Sequence, residues 1–221
     1  MPQNPAVQGK CPCRAGLVQA LQMLLRSGLS SLVDFQSFAF VTRDYFVGGP
    51  LTTPAVTAGA YDNLPAVLTG SFSRFTPCAC DYIDVGGAVF LPYETATAAT
   101  TGLTVSRLDL CDILAVAFAP AGATAEELTA NYTAARQLIQ NLLQPGCGLR
   151  PTCPPYPDPC DEPCPCDCQN QFLGGSVSLI TGSLLIAGAT VLGNMGKVLI
   201  LANDTLQRFY FVCSDKASII Q

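Results

Sequence analysis

Residues 145–170 hold eight prolines and six cysteines in 26 positions. Proline fixes φ and donates no backbone hydrogen bond, so neither a helix nor a sheet ladder runs through such a stretch. It also lacks the apolar run from which a core is built. The segment is expected to be extended and polyproline-like, a linker or inserted loop held by its own thiols. The buried parts of the protein must therefore come from the chain on either side of it. This divides the sequence into a flexible cysteine-bearing arm (1–13), a body (14–144), the Pro/Cys-rich segment (145–171) and a C-terminal β segment (172–221) that can pack on the body.

Both flanking stretches carry readable patterns. After the arm, Leu17, Val18, Leu21, Leu24 and Leu25 recur at helical spacing, and Gly28 is a natural stop. The expected amphipathic helix docks on its own domain or on a neighbouring subunit. Short apolar runs follow, separated by Gly, Pro and Thr clusters: Phe35 to Val47, Tyr82 to Val85, Ala88 to Leu91, Leu103 to Leu110 and Ile113 to Phe118. These read as strands, with 95–101 as a loop. Thr124 and Glu127 then form a capping box for a second helix. Its apolar face runs through Leu128, Tyr132, Ala135, Ile139, Leu142 and Leu143 until Pro145-Gly146 ends it. Beyond the proline segment, strands are expected within 174–182, 183–193, 197–201 and 208–213, with 202–207 as the last hairpin loop. The fold class is α+β: mostly antiparallel, sandwich-like β structure with two amphipathic helices. Residues 168–196 carry no charge, but glycines and hydroxyl side chains interrupt the apolar run, so a membrane span is not favoured.

Composition removes whole classes of function. The 221 residues contain no histidine, which excludes Ser-His-Asp and Cys-His catalysis and histidine-ligated zinc. A net charge of −5, with lysine only at 10, 197 and 216, gives no basic face for nucleic acid. Charged residues make up 12% of the chain, against about 25% in an ordinary soluble domain. A surface so weakly charged offers little repulsion between copies and favours self-association. Asp81, Asp84, Asp109 and Asp112 are the carboxylates an acid–base hydrolase would draw on, although isolated carboxylates are usually solvated. The triplets beginning at Asn131 and Asn203 match a glycosylation pattern that carries weight only in eukaryotic secretion. No catalytic residue and no cofactor is expected.

What remains distinctive is thiol chemistry. The cysteines are Cys11, Cys13, Cys78, Cys80, Cys111, Cys147, Cys153, Cys160, Cys164, Cys166, Cys168 and Cys213. An even count at this density points to an oxidised, extracellular framework, yet the N-terminus shows no basic region leading into an apolar run, so no secretory signal is expected. Three Cys-x-Cys units occur, at Cys11/Cys13, Cys78/Cys80 and the doubled Cys164/Cys166/Cys168. In extended chain, residues i and i+2 lie about 6.5–7 Å apart, at the limit of what one disulfide spans. Such pairs suit two outside partners, or one metal, better than each other. A thioredoxin-type redox site needs Cys-x-x-Cys at a helix start, a spacing missing here. The metal alternative is a zinc-type cluster of Cys160, Cys164, Cys166 and Cys168, whose spacing does not form clean Cys-x2–4-Cys halves. The third use is covalent cross-linking. Cys11 and Cys13 on the arm are candidate links between subunits, and Cys147, Cys153, Cys160, Cys164, Cys166 and Cys168 form a stapled or cross-linking loop. Cys78, Cys80, Cys111 and Cys213, in or beside strands, are candidates for intramolecular disulfides or buried thiols.

The Cys- and Pro-rich composition, the missing secretory signal and the arm with Cys11 and Cys13 resemble cysteine-rich surface proteins of bacterial endospores: coat, exosporium and appendage subunits. The resemblance implies synthesis in the mother-cell cytosol and oxidation on lysis. In appendage subunits a cysteine-bearing N-terminal connector joins the next copy of a β-sandwich, and Cys11 and Cys13 are the matching positions. The implied function is a self-assembling structural subunit of a disulfide-cross-linked fibre or surface lattice. Its partners are further copies of itself and related cysteine-rich subunits.

Overall fold

The computed structural model describes residues 11–25, 28–48, 82–90, 100–143, 173–182 and 184–220. Two helices, α1 (Arg14–Leu24) and α2 (Ala125–Leu143), accompany ten strands: β1 (Val33–Val41), β2 (Phe46–Gly48), β3 (Tyr82–Phe90), β4 (Thr100–Asp109), β5 (Ala115–Pro120), β6 (Ser176–Thr181), β7 (Leu184–Met195), β8 (Val198–Asn203), β9 (Arg208–Cys213) and β10 (Ala217–Ile220). They form one sheet in the order β10-β6-β7-β8-β9-β5-β1-β2-β3-β4, with every neighbouring pair antiparallel. The fold is thus α+β and mostly antiparallel. No described helix is long and apolar enough to cross a membrane, and the charge-free stretch before Lys197 contributes β6 and β7.

The middle of the sheet is apolar on both faces, and the period of two sorts its side chains by size. Phe38 and Phe40 of β1, Val116 and Phe118 of β5, and Phe209 and Phe211 of β9 point to one side. Ala39, Val41, Ala115, Ala117, Tyr210 and Val212 point to the other. On the first side the rings stack across strands: Phe38 on Phe118 at 5.1 Å between centroids, Phe118 on Phe209 at 5.3 Å. Phe38 is in register with Phe118, and Phe118 with Phe209. Cross-strand aromatic pairs of this kind are the strongest local cement a sheet has, about 0.5–1.5 kcal/mol each beyond area burial. Both helices cover this face. The small alanines on the opposite face leave room for the sheet itself to curl over. Gly182, in the β6–β7 turn, shows the closure: a Cβ there would stand 2.7 Å from Leu114 Cδ1 and 3.2 Å from the Thr42 carbonyl oxygen, at the end of β1. Four strands separate β6 from β1 in the sheet order, so the sheet coils back on itself and makes its own second layer.

The helix α2 begins as its sequence dictates. The Glu127 amide donates to Thr124 Oγ1 at 3.2 Å, and Glu127 Oε2 accepts from the Thr124 and Ala123 amides. Tyr132, Ala135 and Ile139 are its buried stripe. The Tyr132 ring lies 4.9 Å from that of Phe209, and its hydroxyl donates to Asp204 Oδ1 at 2.7 Å in the β8–β9 turn. Asp204 also receives Arg136 at 3.5 Å. Burial, with the Asp204 hydrogen bond and charge adding to it, holds the Tyr132 hydroxyl protonated well above the usual tyrosine range. The helix α1 packs on its own sheet, burying Leu17, Val18, Leu21, Met23 and Leu24, while Leu25 lies beyond its end and is exposed.

Other differences from the sequence reading are local. Residues 82–90 form one strand through Gly86-Gly87, absorbed by a register shift between Asp84 and Gly87, and not two short ones. β4 starts at Thr100, inside the expected loop. The strand β10 was not expected: Ala217 to Ile220 pair with Thr181 to Ser178 after a single turn of 3-10 helix at Ser214–Lys216.

Two outcomes follow from this packing. A Cβ at Gly16 would meet the Met195 carbonyl oxygen at 2.1 Å, where α1 lies on the end of β7. Gly16→Ala is expected to destabilise the protein by about 1–3 kcal/mol, read as a lower midpoint in thermal or denaturant unfolding. Above about pH 10 an unfolded tyrosine ionises while folded Tyr132 keeps its proton. The folded state then binds more protons, so stability falls as pH rises past 10. Urea midpoints between pH 9 and 11 should fall more steeply for the wild type than for Tyr132→Phe.

Candidate functional site

The thiol chemistry converges on one end of the sheet, where the start of α1 meets the β4–β5 connection, the β7–β8 turn and the exit of β9. Antiparallel pairing brings these together: Ala115 is opposite Val212 and Val198 opposite Cys213. The Cys213 amide donates to the Leu114 carbonyl, and the Leu114 amide to that of Val41. Two disulfides are built here. Cys11 pairs with Cys111 across 100 residues, with Cα atoms 5.1 Å apart. Cys13 pairs with Cys213 across 200 residues, at 5.6 Å. The closely spaced pair on the arm therefore serves two separate partners.

Their surroundings differ. Cys13 and Cys213 are 5% and 3% exposed and belong to the core beneath the helices. Cys13 Sγ lies 3.5 Å from the Lys197 carbonyl oxygen. That carbonyl also accepts from the Ser214 amide and hydroxyl. Lys197 and Asp215 close the exterior with an ion pair of 2.7 Å. Cys11 and Cys111 are only half-buried. The Cys111 amide donates to Asp109 Oδ1 at 2.8 Å, and the Lys216 ammonium donates to the Cys111 carbonyl oxygen. The Thr181 hydroxyl donates to the Lys216 carbonyl, so the β6–β7 hairpin is tied to the same corner.

In this structure Cys11 and Cys13 bond within the chain, to Cys111 and Cys213. Their partners, Cys111 and Cys213, have intramolecular disulfides. Cys78, Cys80, Cys147, Cys153, Cys160, Cys164, Cys166 and Cys168 lie outside the described residues, as do Asp81 and the alternative four-cysteine metal set. Among the described residues no group of three or more candidate ligands could hold a metal ion. Asp109 serves the turn that presents Cys111. Both amides of the glycosylation-like triplets are engaged: Asn131 donates to the Ala121 carbonyl, and buried Asn203 donates to that of Ala187 while its Oδ1 accepts the Thr205 and Leu206 amides. The ion pair of Lys197 with Asp215 and the reach of Lys216 to Cys111 had no sequence signal, because the residues they join lie in separate turns and connections.

The geometry defines a stapled α+β protein in which the residues leading into the first helix are covalently fixed to β9 and to the β4–β5 connection. The chain belongs to the spore coat protein CotA-like family, whose description matches residues 11–221. It is 28% identical over 255 aligned positions to the spore coat protein CotA of Clostridioides difficile (strain 630), with 96% of this chain and 83% of that protein covered. No solved structure matches. The resemblance to endospore surface proteins is thereby shown at the level of the coat protein family.

Each long-range staple removes freedom from the unfolded chain, by about 4.7 kcal/mol for a 100-residue loop in the chain-entropy treatment. Measured losses on removing a native disulfide are about 2–5 kcal/mol. Replacing Cys13 and Cys213 together by alanine should cost more than replacing Cys11 and Cys111, because the buried sulfurs leave a cavity in the core. Guanidinium unfolding of the two double variants checks the order.

Proposed function

We propose that this spore-coat family protein is a structural subunit that self-assembles into a disulfide-cross-linked layer at the spore surface. Family membership supports the spore-surface structural role. The observation that carries the cross-linking is the oxidised state of the body. Cys11, Cys13, Cys111 and Cys213 are consumed inside the chain, so the protein is built for surroundings in which thiols become disulfides. The eight remaining cysteines meet the same surroundings, six of them between residues 147 and 168. In this reading the body is a closed, stapled unit, and the Pro/Cys-rich segment supplies the bonds between units. Inter-subunit linkage then rests on Cys147, Cys153, Cys160, Cys164, Cys166 and Cys168. Low charge lowers the repulsion between copies, and each bond converts reversible association into an assembly that detergent does not dissolve.

The test is electrophoresis of native spore-surface material and of the oxidised recombinant chain, boiled in detergent with and without reductant. Material that enters the gel as a monomer only after reduction is the expected result. Serine at all six positions from Cys147 to Cys168 should release monomer without reductant, while serine at Cys11 and Cys111 should leave the high-mass material in place or reduce it only in part. A monomer band without reductant, carrying stoichiometric zinc on titratable thiols, would overturn the reading in favour of thiolate metal binding.

A further inference from the structure

The two staples share one corner of the fold but not one environment, and the difference has chemical content. Cys13–Cys213 is sealed in the core. Cys11–Cys111 is half-buried, with Cys111 in the short connection between β4 and β5. Attack on a disulfide needs an approaching thiolate in line with the sulfur–sulfur bond, so access separates the two bonds kinetically. The fold can also afford to lose the outer one. With Cys11–Cys111 open, α1 is still fixed by Cys13–Cys213 and by the burial of Leu17, Leu21 and Leu24.

We propose that Cys11–Cys111 is a thiol–disulfide exchange site that passes its bond to a cysteine thiolate of a second copy of the chain. The identity of that partner rests on the cross-linking reading above; the reactivity of the bond does not. The incoming thiolate attacks Cys111 Sγ, and its electron pair forms a new sulfur–sulfur bond to Cys111. The old bond breaks with its pair on Cys11 Sγ, which leaves as thiolate and takes a proton from water. One disulfide is consumed and one formed, so no external oxidant enters.

The direction of opening follows from the charges around each sulfur. Cys11 stands just ahead of α1, whose first turn contains Arg14, has no acidic residue, and receives no side-chain cap. The positive end of a helix favours a thiolate leaving group there. On the other side, Asp109 accepts from the Cys111 amide and Asp112 follows it in sequence, against the ammonium of Lys216 on the Cys111 carbonyl. Negative charge is therefore better placed on Cys11 than on Cys111. The outcome is a cross-link at Cys111 and a released thiol on the arm, which can attack in turn.

The test uses the oxidised, folded chain and reduced glutathione under native conditions, quenched in acid, alkylated and mapped by peptide mass. The expected result is glutathione on Cys111 and alkylation of Cys11, with Cys11–Cys111 opening at least about tenfold faster than Cys13–Cys213 and the far-UV circular dichroism unchanged. Glutathione on Cys11 in place of Cys111 overturns the proposal. So does opening of Cys13–Cys213 at an equal or greater rate, or opening of Cys11–Cys111 only with loss of the folded spectrum. Because the probe is a small thiol, this result stands or falls apart from whether the material on the gel is cross-linked.

Discussion

The pairing of β5 with β9 carries the architecture. β5 closes the first half of the chain and β9 belongs to the second, with α2 and the Pro/Cys-rich segment between them. Their register places Phe118 against Phe209 on the helix side and Ala117 against Tyr210 on the other. Once that register is set, the rings of β1, β5 and β9 stack into a single row that both helices cover. Slipping β9 by one residue would turn Phe209 and Phe211 to the alanine side and Tyr210 to the helix side, breaking the row of rings. The same pairing brings Cys213 beside Leu114, and hence both halves of the chain to the corner where the staples form.

The sheet manages without a second sheet because its two faces are of different size. Aromatic side chains hold the helices at a distance suited to helix-on-sheet packing. Alanines on the opposite face let strands of the same sheet approach closely. A wide antiparallel sheet twists, and the close approach at Gly182 is where that twist brings distant strands together. The polar clasps lie at the margins: Tyr132 with Asp204 at one end of the molecule, and Lys197, Asp215 and Lys216 around the disulfides at the other.

What could be read in the residues was what is decided locally. The capping box at Thr124 and Glu127 is made by neighbours three apart, and it formed as written. The short apolar runs at 208–213 and within Phe35 to Val47 read as strands, and β9 and β1 lie there. The spacing of Cys11 and Cys13 told against their bonding to each other, and each bonds elsewhere. Their partners were not legible: nothing near residue 11 refers to residue 111, and connectivity is set by which strands meet. β10 escaped for a related reason. Four residues after a 3-10 turn have no pattern of their own, and Ala217 to Ile220 are a strand only because β6 offers them a ladder.

The bond between Cys13 and Cys213 makes nearly the whole polypeptide a covalent ring. A cut at any single peptide bond between those two residues opens the ring without yielding a separate fragment. A protease that clips the proline- and cysteine-rich stretch would leave both pieces joined at the corner where α1 meets β9, as well as through the strand pairing of β5 with β9. Damage to one peptide bond is thereby uncoupled from loss of mass. Shedding requires a second cut or the arrival of a reductant.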